Sequence, residues 1–219
     1  MKRGMFITFE GPEGSGKSTH IKLLADHLQE RGIAVRTTRE PGGTPLGEAV
    51  RGLLQHNRGG EAPVPRAEVL LFLASRAQHV ECLIRPALSQ GCWVLCDRFE
   101  ESTFAYQGYG RGFDLGDLKS ANLFATGGLR PDLTVLLDVD PATGRERLKL
   151  RRSQTASLPD RIEMEDAAFH MRLREGFLEM AGRDQQRIMV VATGRAVTDV
   201  ASEIRDGVRV RLREALDAC

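Results

Sequence analysis

Short apolar segments alternate along this chain with longer segments whose apolar side chains recur at helical spacing. The short segments are rich in apolar and β-branched residues and cover residues 5–9, 33–38, 92–96, 133–137 and 188–192. Segments of this kind, bounded by turn residues, are typical of buried strands. Strands separated by helices predict an α/β fold. We expect a three-layer sandwich in which helices cover both faces of a five-stranded parallel sheet.

Helices are predicted wherever apolar residues recur every three or four positions. The predicted segments are 17–29, 45–56, 66–88, 117–125, 142–152, 160–181 and 197–216. Pro86 is expected to break or kink the third of them, because proline lacks the N–H group that continues a helix. Residues 99–112 mix polar, aromatic and glycine residues, a mixture that suits the wall of a substrate site better than a hydrophobic core.

Length, composition and charge limit the class of protein. With 219 residues, of which 41% are hydrophobic, the chain suits one compact domain, residues 1–219, with a small insert. Its formal net charge of +1, from 31 basic and 30 acidic side chains, argues against a general nucleic-acid binder. No apolar run approaches the about 20 residues that span a membrane, and the apolar start is too short for a signal peptide. We therefore expect a cytoplasmic protein that binds neither membranes nor nucleic acid.

A glycine-rich segment between the first strand and the first helix is the most informative motif. Its spacing is G-x-x-x-x-G-K-[ST], and its residues are Gly11, Pro12, Glu13, Gly14, Ser15, Gly16, Lys17 and Ser18. Glycines let the backbone wrap around a phosphate with its N–H groups inward, and the helix adds the positive end of its dipole. Lys17 would reach the β- and γ-phosphates, and the Ser18 hydroxyl would bind Mg²⁺. The strand and helix that flank the motif disfavour the alternative, a simple glycine-rich turn.

Charged residues follow the second and third predicted strands, where open α/β sheets bind ligands. Arg39 and Glu40 follow the second strand, and Asp97 and Arg98 follow the third. Arg39 is predicted to contact a phosphate, with a solvated surface charge as the alternative. Asp97 is predicted to hold Mg²⁺, directly or through water, and would serve equally well as the cap of the next helix. Arg98 is suited to clamp a phosphoryl group.

An arginine-rich segment, residues 145–160, is predicted to form a lid. Arg147 and Arg151 are four residues apart and share one face of the predicted helix, and Arg152 follows. A solvated charged helix is the alternative for such a run. Together with the glycine-rich loop, arginines on a flap favour a small-molecule kinase that transfers a γ-phosphoryl group. A nucleotide-driven switch or motor is the competing class, and a non-enzymatic binding module ranks last.

Several longer stretches resemble the bacterial thymidylate kinase family, in the nucleoside-monophosphate kinase group of P-loop kinases. The most specific are Thr-Arg-Glu-Pro-Gly-Gly-Thr at residues 38–44 and Tyr-Gln-Gly at residues 106–108, and Asp-Arg-Ile-Glu follows at residues 160–163. The resemblance implies a sheet of strand order 2-3-1-4-5. It also implies transfer of the γ-phosphoryl group of ATP to dTMP, with Mg²⁺, by a homodimer that serves dTTP synthesis. A kinase for another nucleoside monophosphate is the runner-up.

The resemblance also implies roles on the ATP side of the site. Residues 11–18 would hold ATP and the metal, and Arg147 lies on the lid beside them. The interior of the loop carries no basic residue, so the lid would supply the arginine that assists transfer, and Arg151 is the predicted one. Backbone groups near Thr193 and Gly194 would contact adenine.

On the acceptor side, the resemblance assigns two sets of contacts. Glu13 matches an acidic position that contacts the sugar 3′-hydroxyl, and Arg39 and Arg98 match the arginines that bind the phosphate. The base-binding and neighbouring positions are Phe72, which would stack on thymine, Arg76 and Gln107, which would hydrogen-bond it, and Ser102 and Thr103. On periodicity alone, Phe72 would be taken for a core side chain and Arg76 for a solvated one.

Overall fold

The predicted strands form one parallel sheet in the computed structural model, which describes residues 3–56, 60–155 and 165–216. Within these ranges, the description leaves out the side chains of His56, Arg151, Gln154, Thr155 and Glu214. The strands are β1 (Phe6–Glu10), β2 (Val35–Arg39), β3 (Trp93–Asp97), β4 (Leu133–Asp138) and β5 (Ile188–Ala192). Their order is β2-β3-β1-β4-β5, and every neighbouring pair is parallel. The predicted sheet and its strand order are confirmed.

Helices connect the strands. Those before β3 are α1 (Lys17–Glu30), α2 (Pro45–His56), α3 (Pro65–His79) and α4 (Arg85–Ser89). Those after β3 are α5 (Glu100–Thr103), α6 (Leu115–Thr126), α7 (Pro141–Thr155), α8 (Ala167–Arg183), α9 (Val197–Arg211) and α10 (Arg213–Leu216). Within the described ranges, no helix is both long enough and apolar enough to cross a bilayer.

The two faces of the sheet are each covered by helices. Ile7 and Phe9 of β1 pack on one face in a cluster that includes Leu24 of α1 and Ile204 of α9. Phe6 points the other way, into a second cluster with Val80, Ile84, Leu88, Val94 and Cys96. Successive side chains of a strand alternate between faces, so burial on both faces requires an apolar residue at nearly every position. The continuous apolar runs in the sequence follow from this three-layer arrangement.

The strand register brings the polar strand ends to one edge of the sheet. Asp97, the last residue of β3, pairs with Phe9 of β1 and with Arg39 of β2. Glu10 follows Phe9 and ends β1. Because parallel strands point in the same direction, these charged side chains meet at the carboxyl edge, beside the start of α1.

The predicted helix 66–88 is interrupted, as expected from its proline. α3 ends at His79, a π-helical turn covers Val80–Ile84, and α4 follows. The N–H group of Arg85 donates to the carbonyl of Val80, five residues back. Pro86, next in the chain, has no N–H group to continue the ordinary four-residue pattern. The wide turn therefore places Pro86 in the first turn of α4, where its missing donor is tolerated.

Residues 99–112 are more ordered and more buried than the sequence suggested. They contain α5 and a π-helical segment, Phe104–Gly110. Phe99, Ala105 and Tyr106 are buried in the hydrophobic core. The stretch therefore contributes to the core, which its polar residues did not indicate, as well as to the wall of a cavity, as they did. It does both because one helical segment presents an apolar side to the sheet and a polar side to the site.

Two helix boundaries in the last third of the chain also differ from prediction. The helix expected from residue 160 is α8, which begins at Ala167; residues 156–164 lie outside the described residues. The carboxylate of Asp166 accepts a hydrogen bond of 2.6 Å from the N–H group of Phe169 and caps the helix. The helix expected over 197–216 divides into α9 and α10 at Leu212. Apolar periodicity alone located neither boundary.

Candidate functional site

A cavity of about 510 Å³ opens at the carboxyl edge of the sheet. Its walls come from the glycine-rich loop, the ends of β2 and β3, α2, α3, residues 102–107 and α7. The predicted site residues that line it are Glu13, Gly14, Gly16, Lys17, Ser18, Arg39, Phe72, Arg76, Asp97, Arg98, Ser102, Thr103, Gln107 and Arg147. Residues predicted from distant parts of the sequence for ATP and for the acceptor thus share one cavity.

Two glycines of the loop are required by close backbone contacts. Gly11 has a φ of 130°, and a Cβ atom added there would lie 2.3 Å from the carbonyl oxygen of Leu137. Gly14 has a φ of 76°, and its added Cβ would lie 2.3 Å from the carbonyl oxygen of Gly144 in α7. Any side chain at either position would clash and would strain the backbone. The loop therefore packs tightly between the end of β4 and the start of α7.

Lys17 is folded into its own loop. Its ammonium group donates hydrogen bonds of 2.9 Å to the carbonyl oxygens of Gly11 and Pro12, and only 8% of the residue is exposed. Burial, reinforced by the positive charge of Arg98, lowers the pKa of Lys17 to about 8. The cation is thus held by backbone carbonyls of its own loop at the N-terminus of α1.

Ser18 and Asp97 form an oxygen-rich pair across the base of the cavity. The hydroxyl group of Ser18 donates a 3.1 Å hydrogen bond to the carboxylate of Asp97. The alternative role considered for Asp97, capping the next helix, is wrong, because Phe99 occupies the N-cap of α5 without a side-chain hydrogen bond. A hydroxyl and a carboxylate are the ligands that Mg²⁺ prefers. This pair fits the predicted metal.

Arg98 is held by a carboxylate and by the glycine-rich loop. Its guanidinium donates to Glu13 (2.9 Å), to the carbonyl of Gly11 (3.2 Å) and to the hydroxyl oxygen of Ser102 (3.0 Å). The hydroxyl of Tyr106 also donates to Glu13. Burial raises the pKa of Glu13, but the charges of Arg98 and Lys17 outweigh burial, so its pKa lies below the usual value. Glu13 is therefore a carboxylate that compensates the cations of the site.

Glu10 is a site residue that sequence reasoning missed. It is fully buried, and it accepts hydrogen bonds from the N–H of Phe99 (2.7 Å) and the hydroxyl of Ser102 (2.6 Å). Arg98, just before Phe99, adopts a φ of 73°, which is strained for a residue with a side chain. Glu10 thus fixes the turn that aims Arg98 at the cavity. The available signal was a charged residue at the end of an otherwise buried strand.

Arg39 lies at the opposite wall and is held by Glu48 of α2. One nitrogen of its guanidinium lies 3.0 and 2.8 Å from the two carboxylate oxygens. Half of the Arg39 side chain is exposed, and it lines the cavity, so its contact with a phosphate stays a prediction. Arg51 of α2 lines the same wall and donates to the carbonyl of Pro41 (3.0 Å). Sequence reasoning missed Arg51, because an arginine on a helix carries no motif.

Arg76 is buried, although helical periodicity alone predicts a solvated arginine at this position. Its guanidinium donates to Glu40 and to the carbonyl of Phe99 (2.8 Å each), and to Thr103 Oγ1 and Asn122 Oδ1 (2.8 Å each). Within the described part of the chain, four of its five N–H groups therefore have acceptors, and one on Nη2 is left. Burial raises the pKa of Glu40, but the charge of Arg76 and a hydrogen bond from His79 outweigh it, and the net shift is downward.

The ATP-side residues of the second half lie around the start of α7. Arg147 donates to the carbonyl of Gly14 (3.3 Å) and to the carbonyl of Thr193 (2.7 Å). Thr193 is almost fully buried, and its hydroxyl donates to the carbonyl of Asp138 (3.0 Å). Arg147 thus links α7 to the loop and to the end of β5. The side chain of Arg151 and residues 156–160 of the lid lie outside the described residues.

Because of two buried carboxyls behind the cavity, we expect the free energy of unfolding to fall as the pH rises. Burial, with the charge of Glu101, raises the pKa of both Glu10 and Glu100 to about 7 from 4.5. The folded chain then holds protons that the unfolded chain has lost, so their stabilisation is complete below pH 4.5 and disappears as pH rises through 7. The free energy of unfolding, from urea titrations, should be lower at about pH 7.5 than at about pH 5.5 by on the order of 1–3 kcal/mol.

The variant Glu10→Gln is the control for this prediction. It has no proton to lose at position 10, so its stability should fall less over the same pH interval. Equal losses in the wild type and the variant would contradict the assignment of the pH effect to this carboxyl.

Comparison with known proteins places this chain in a family. Residues 9–204 match the family model described as thymidylate kinase. A thymidylate kinase of Gloeobacter violaceus is 50% identical over 210 residues, 96% of this chain and 97% of its own. One of Carboxydothermus hydrogenoformans is 52% identical, covering 93% and 96%. The crystal structure of thymidylate kinase from Ehrlichia chaffeensis superposes with a TM-score of 0.76 at 36% identity, covering 94% of this chain and 99% of that one. The chain belongs to the thymidylate kinase family.

Proposed function

We propose that this chain transfers the γ-phosphoryl group of ATP to dTMP in the cytoplasm, giving ADP and dTDP for dTTP synthesis. The observation that carries the proposal is the single cavity in which a phosphate-binding loop faces two arginines and an aromatic side chain. One end suits the triphosphate of a donor, and the other suits the phosphate and base of an acceptor. The acceptor phosphate oxygen attacks in line, so catalysis consists of positioning and charge neutralisation.

The donor end is formed by residues 11–18 and the start of α1. The loop amides and the helix N-terminus attract the phosphate oxygens of ATP. Lys17 leaves the carbonyls of Gly11 and Pro12 and contacts the β- and γ-phosphates, which exchanges two backbone acceptors for stronger anionic ones. Arg147 lies against the same loop. Backbone groups near Thr193 and Gly194 complete the adenine side.

Mg²⁺ is assigned to Ser18 and Asp97, whose oxygens lie 3.1 Å apart. When bound, the ion neutralises negative charge on the phosphate oxygens. Asp97 accepts the hydrogen bond of the Ser18 hydroxyl where the donor and acceptor ends of the cavity meet. The two oxygens that would bind the ion are therefore already close together without it.

The acceptor end neutralises a phosphate with Arg39 and Arg98. Without substrate, each arginine is held by a carboxylate, Arg39 by Glu48 and Arg98 by Glu13. An incoming phosphate competes with these carboxylates, and the released Glu13 is placed to accept a hydrogen bond from the sugar 3′-hydroxyl. Ser102 and Thr103 hold the neighbouring wall through their bonds to Arg98 and Arg76.

The base lies against the face of α3. Phe72 is partly exposed on the cavity wall and offers a ring for stacking. Arg76 offers one N–H group to a base carbonyl, and Gln107 completes the hydrogen bonding. A thymine carbonyl accepts from the arginine, whereas cytosine carries an amino group at that edge, so the arrangement favours thymine.

We also assign a closing role to the lid, residues 145–160. Its first part, in α7, contacts the glycine-rich loop through Arg147, and Gly144, just before the lid, packs against the same loop. Closure would bring Arg151 to the transferring phosphoryl group and would exclude water that could otherwise act as acceptor.

A coupled assay of ADP release tests the reaction. Wild-type protein should release ADP rapidly with ATP and dTMP, more slowly with other monophosphates, and very little without an acceptor. The variant Lys17→Ala should lose at least about a hundredfold in kcat, because it removes a preorganised cation from the transition state.

Lys22→Ala is the matched control, since Lys22 lies on the same helix and pairs with Asp26 at the surface; its rate should be unchanged. Equal ADP release with and without dTMP would instead indicate a switch-type NTPase. Unchanged turnover in Lys17→Ala would refute the role of the loop.

Phe72→Ala should weaken dTMP binding and leave ATP binding unchanged. Loss of stacking on one base costs about 1–3 kcal/mol, so KM for dTMP should rise roughly five- to a hundredfold. Phe72→Tyr keeps the ring and should keep the wild-type KM. Steady-state kinetics with each substrate varied separately measures the difference, and an equal rise in both KM values would argue against stacking.

We further propose that the enzyme is a homodimer joined through α3 and α6, which pack against each other. Leu70 of α3 is 65% exposed, and Leu123 and Phe124 of α6 are 61% and 91% exposed, so these two packed helices carry several apolar side chains that a second copy would cover. Phe124→Glu should produce monomers in analytical ultracentrifugation. Val210→Glu, at an exposed apolar site on α9, should leave the dimer intact. A wild-type protein that sediments as a monomer would refute the proposal.

A further inference from the structure

The amide group of Gln107 is held from behind by a buried carboxylate. Gln107 lines the cavity, and its Nε2 atom donates a 2.9 Å hydrogen bond to Oε1 of Glu68, on α3. Glu68 itself is fully buried and does not line the cavity. The contact therefore lies behind the wall that the base would touch.

Glu68 forms an ion pair with Arg111. Nε of Arg111 donates to the same Oε1 atom (2.8 Å), and Nη2 donates to Oε2 (3.3 Å). An ionised carboxylate only accepts hydrogen bonds. If the Gln107 amide were turned over, its oxygen would face the Glu68 oxygen at hydrogen-bonding distance, and two negative partial charges would repel each other. The carboxylate therefore selects one of the two amide orientations.

That orientation leaves the Gln107 amide oxygen with no hydrogen-bond partner among the described residues. The wall then offers one fixed acceptor, the oxygen of Gln107, and one fixed donor, the remaining N–H group of Arg76. Arginine cannot lose its proton, and the amide cannot turn over, so neither group can change its hydrogen-bonding sense.

We infer that Glu68 is a positioning residue that sets the base specificity of the enzyme through the orientation of Gln107. The inference rests on the proposed function. Thymine and uracil carry an N–H group at N3 beside the O4 carbonyl, which complements one acceptor and one donor. Cytosine carries an unprotonated N3 beside an amino group. Its N3 acceptor would face the Gln107 oxygen, and its amino donor would face the Arg76 N–H group. A site built on such groups rejects the mismatched base strongly, because its buried polar groups are left unpaired.

The test is the ratio of kcat/KM for dTMP to kcat/KM for dCMP in Glu68→Met. This variant removes the acceptor behind Gln107 at similar side-chain length, so both amide orientations become available and the ratio should fall at least tenfold. The ratio of dTMP to dUMP should stay unchanged, because these bases share the same hydrogen-bonding edge. Glu68→Gln keeps one oxygen for Gln107 and should retain most of the dCMP discrimination.

A double variant separates positioning from general damage. In a Gln107→Met background there is no amide to orient, so adding Glu68→Met should cause no further loss of discrimination. A parallel fall of kcat/KM for all three monophosphates in Glu68→Met, with both ratios kept, would overturn the inference. If Glu68→Met does not fold, Glu68→Asp, which withdraws the carboxylate by one methylene group, takes its place with the same expected fall and the same overturning result. Failure of the proposed function would differ, since the wild type itself would then show no preference for dTMP.

Discussion

Compensation of buried cations by anions and carbonyls is the constraint on which the site depends. Lys17 and Arg98 are largely buried at the sheet edge, where an unpaired charge is costly. Backbone carbonyls hold the lysine, and Glu13 holds the arginine. Substrate phosphates can therefore bind by exchange of one acceptor for another, and the cations are already in place when negative charge arrives. This is electrostatic preorganisation, the main contribution available to a reaction with little covalent chemistry for the protein to perform.

The fold supplies this arrangement through a few strand-end residues. Glu10 at the end of β1 anchors the strained turn that contains Arg98, and β1 also leads directly into the phosphate-binding loop. One residue thus couples the geometry of the donor loop to that of an acceptor arginine. Its own carboxyl is poorly solvated and lies near Glu101, so its charge is destabilising and its pKa is high. The strain and the buried acid are local costs, which the apolar packing of the sheet must outweigh.

The sequence predicted the elements whose causes are local. Apolar runs located the strands, and the spacing of Gly11, Gly16 and Lys17 located the phosphate-binding loop. The burial of Arg76 could not be predicted in this way, because its partners come from residues 40, 99, 103 and 122. The π-helical segment Phe104–Gly110 likewise depends on packing against α8 and α6. Only resemblance to a family singled out Phe72 and Arg76, since periodicity treats a site aromatic and a core aromatic alike.

Buried carboxylates that face away from the cavity act on both ends of the site by the same physical means. Glu10 fixes Arg98 at the phosphate end, and Glu68 fixes Gln107 at the base end. A carboxyl group suits this role because its two oxygens can accept from several donors at once, which fixes the orientation of each donor. Neither Glu10 nor Glu68 lines the cavity, so the groups that face a substrate at these two points are Arg98 and Gln107. The rigidity of the wall, and hence the discrimination between substrates, is therefore set one layer behind the surface that a ligand touches.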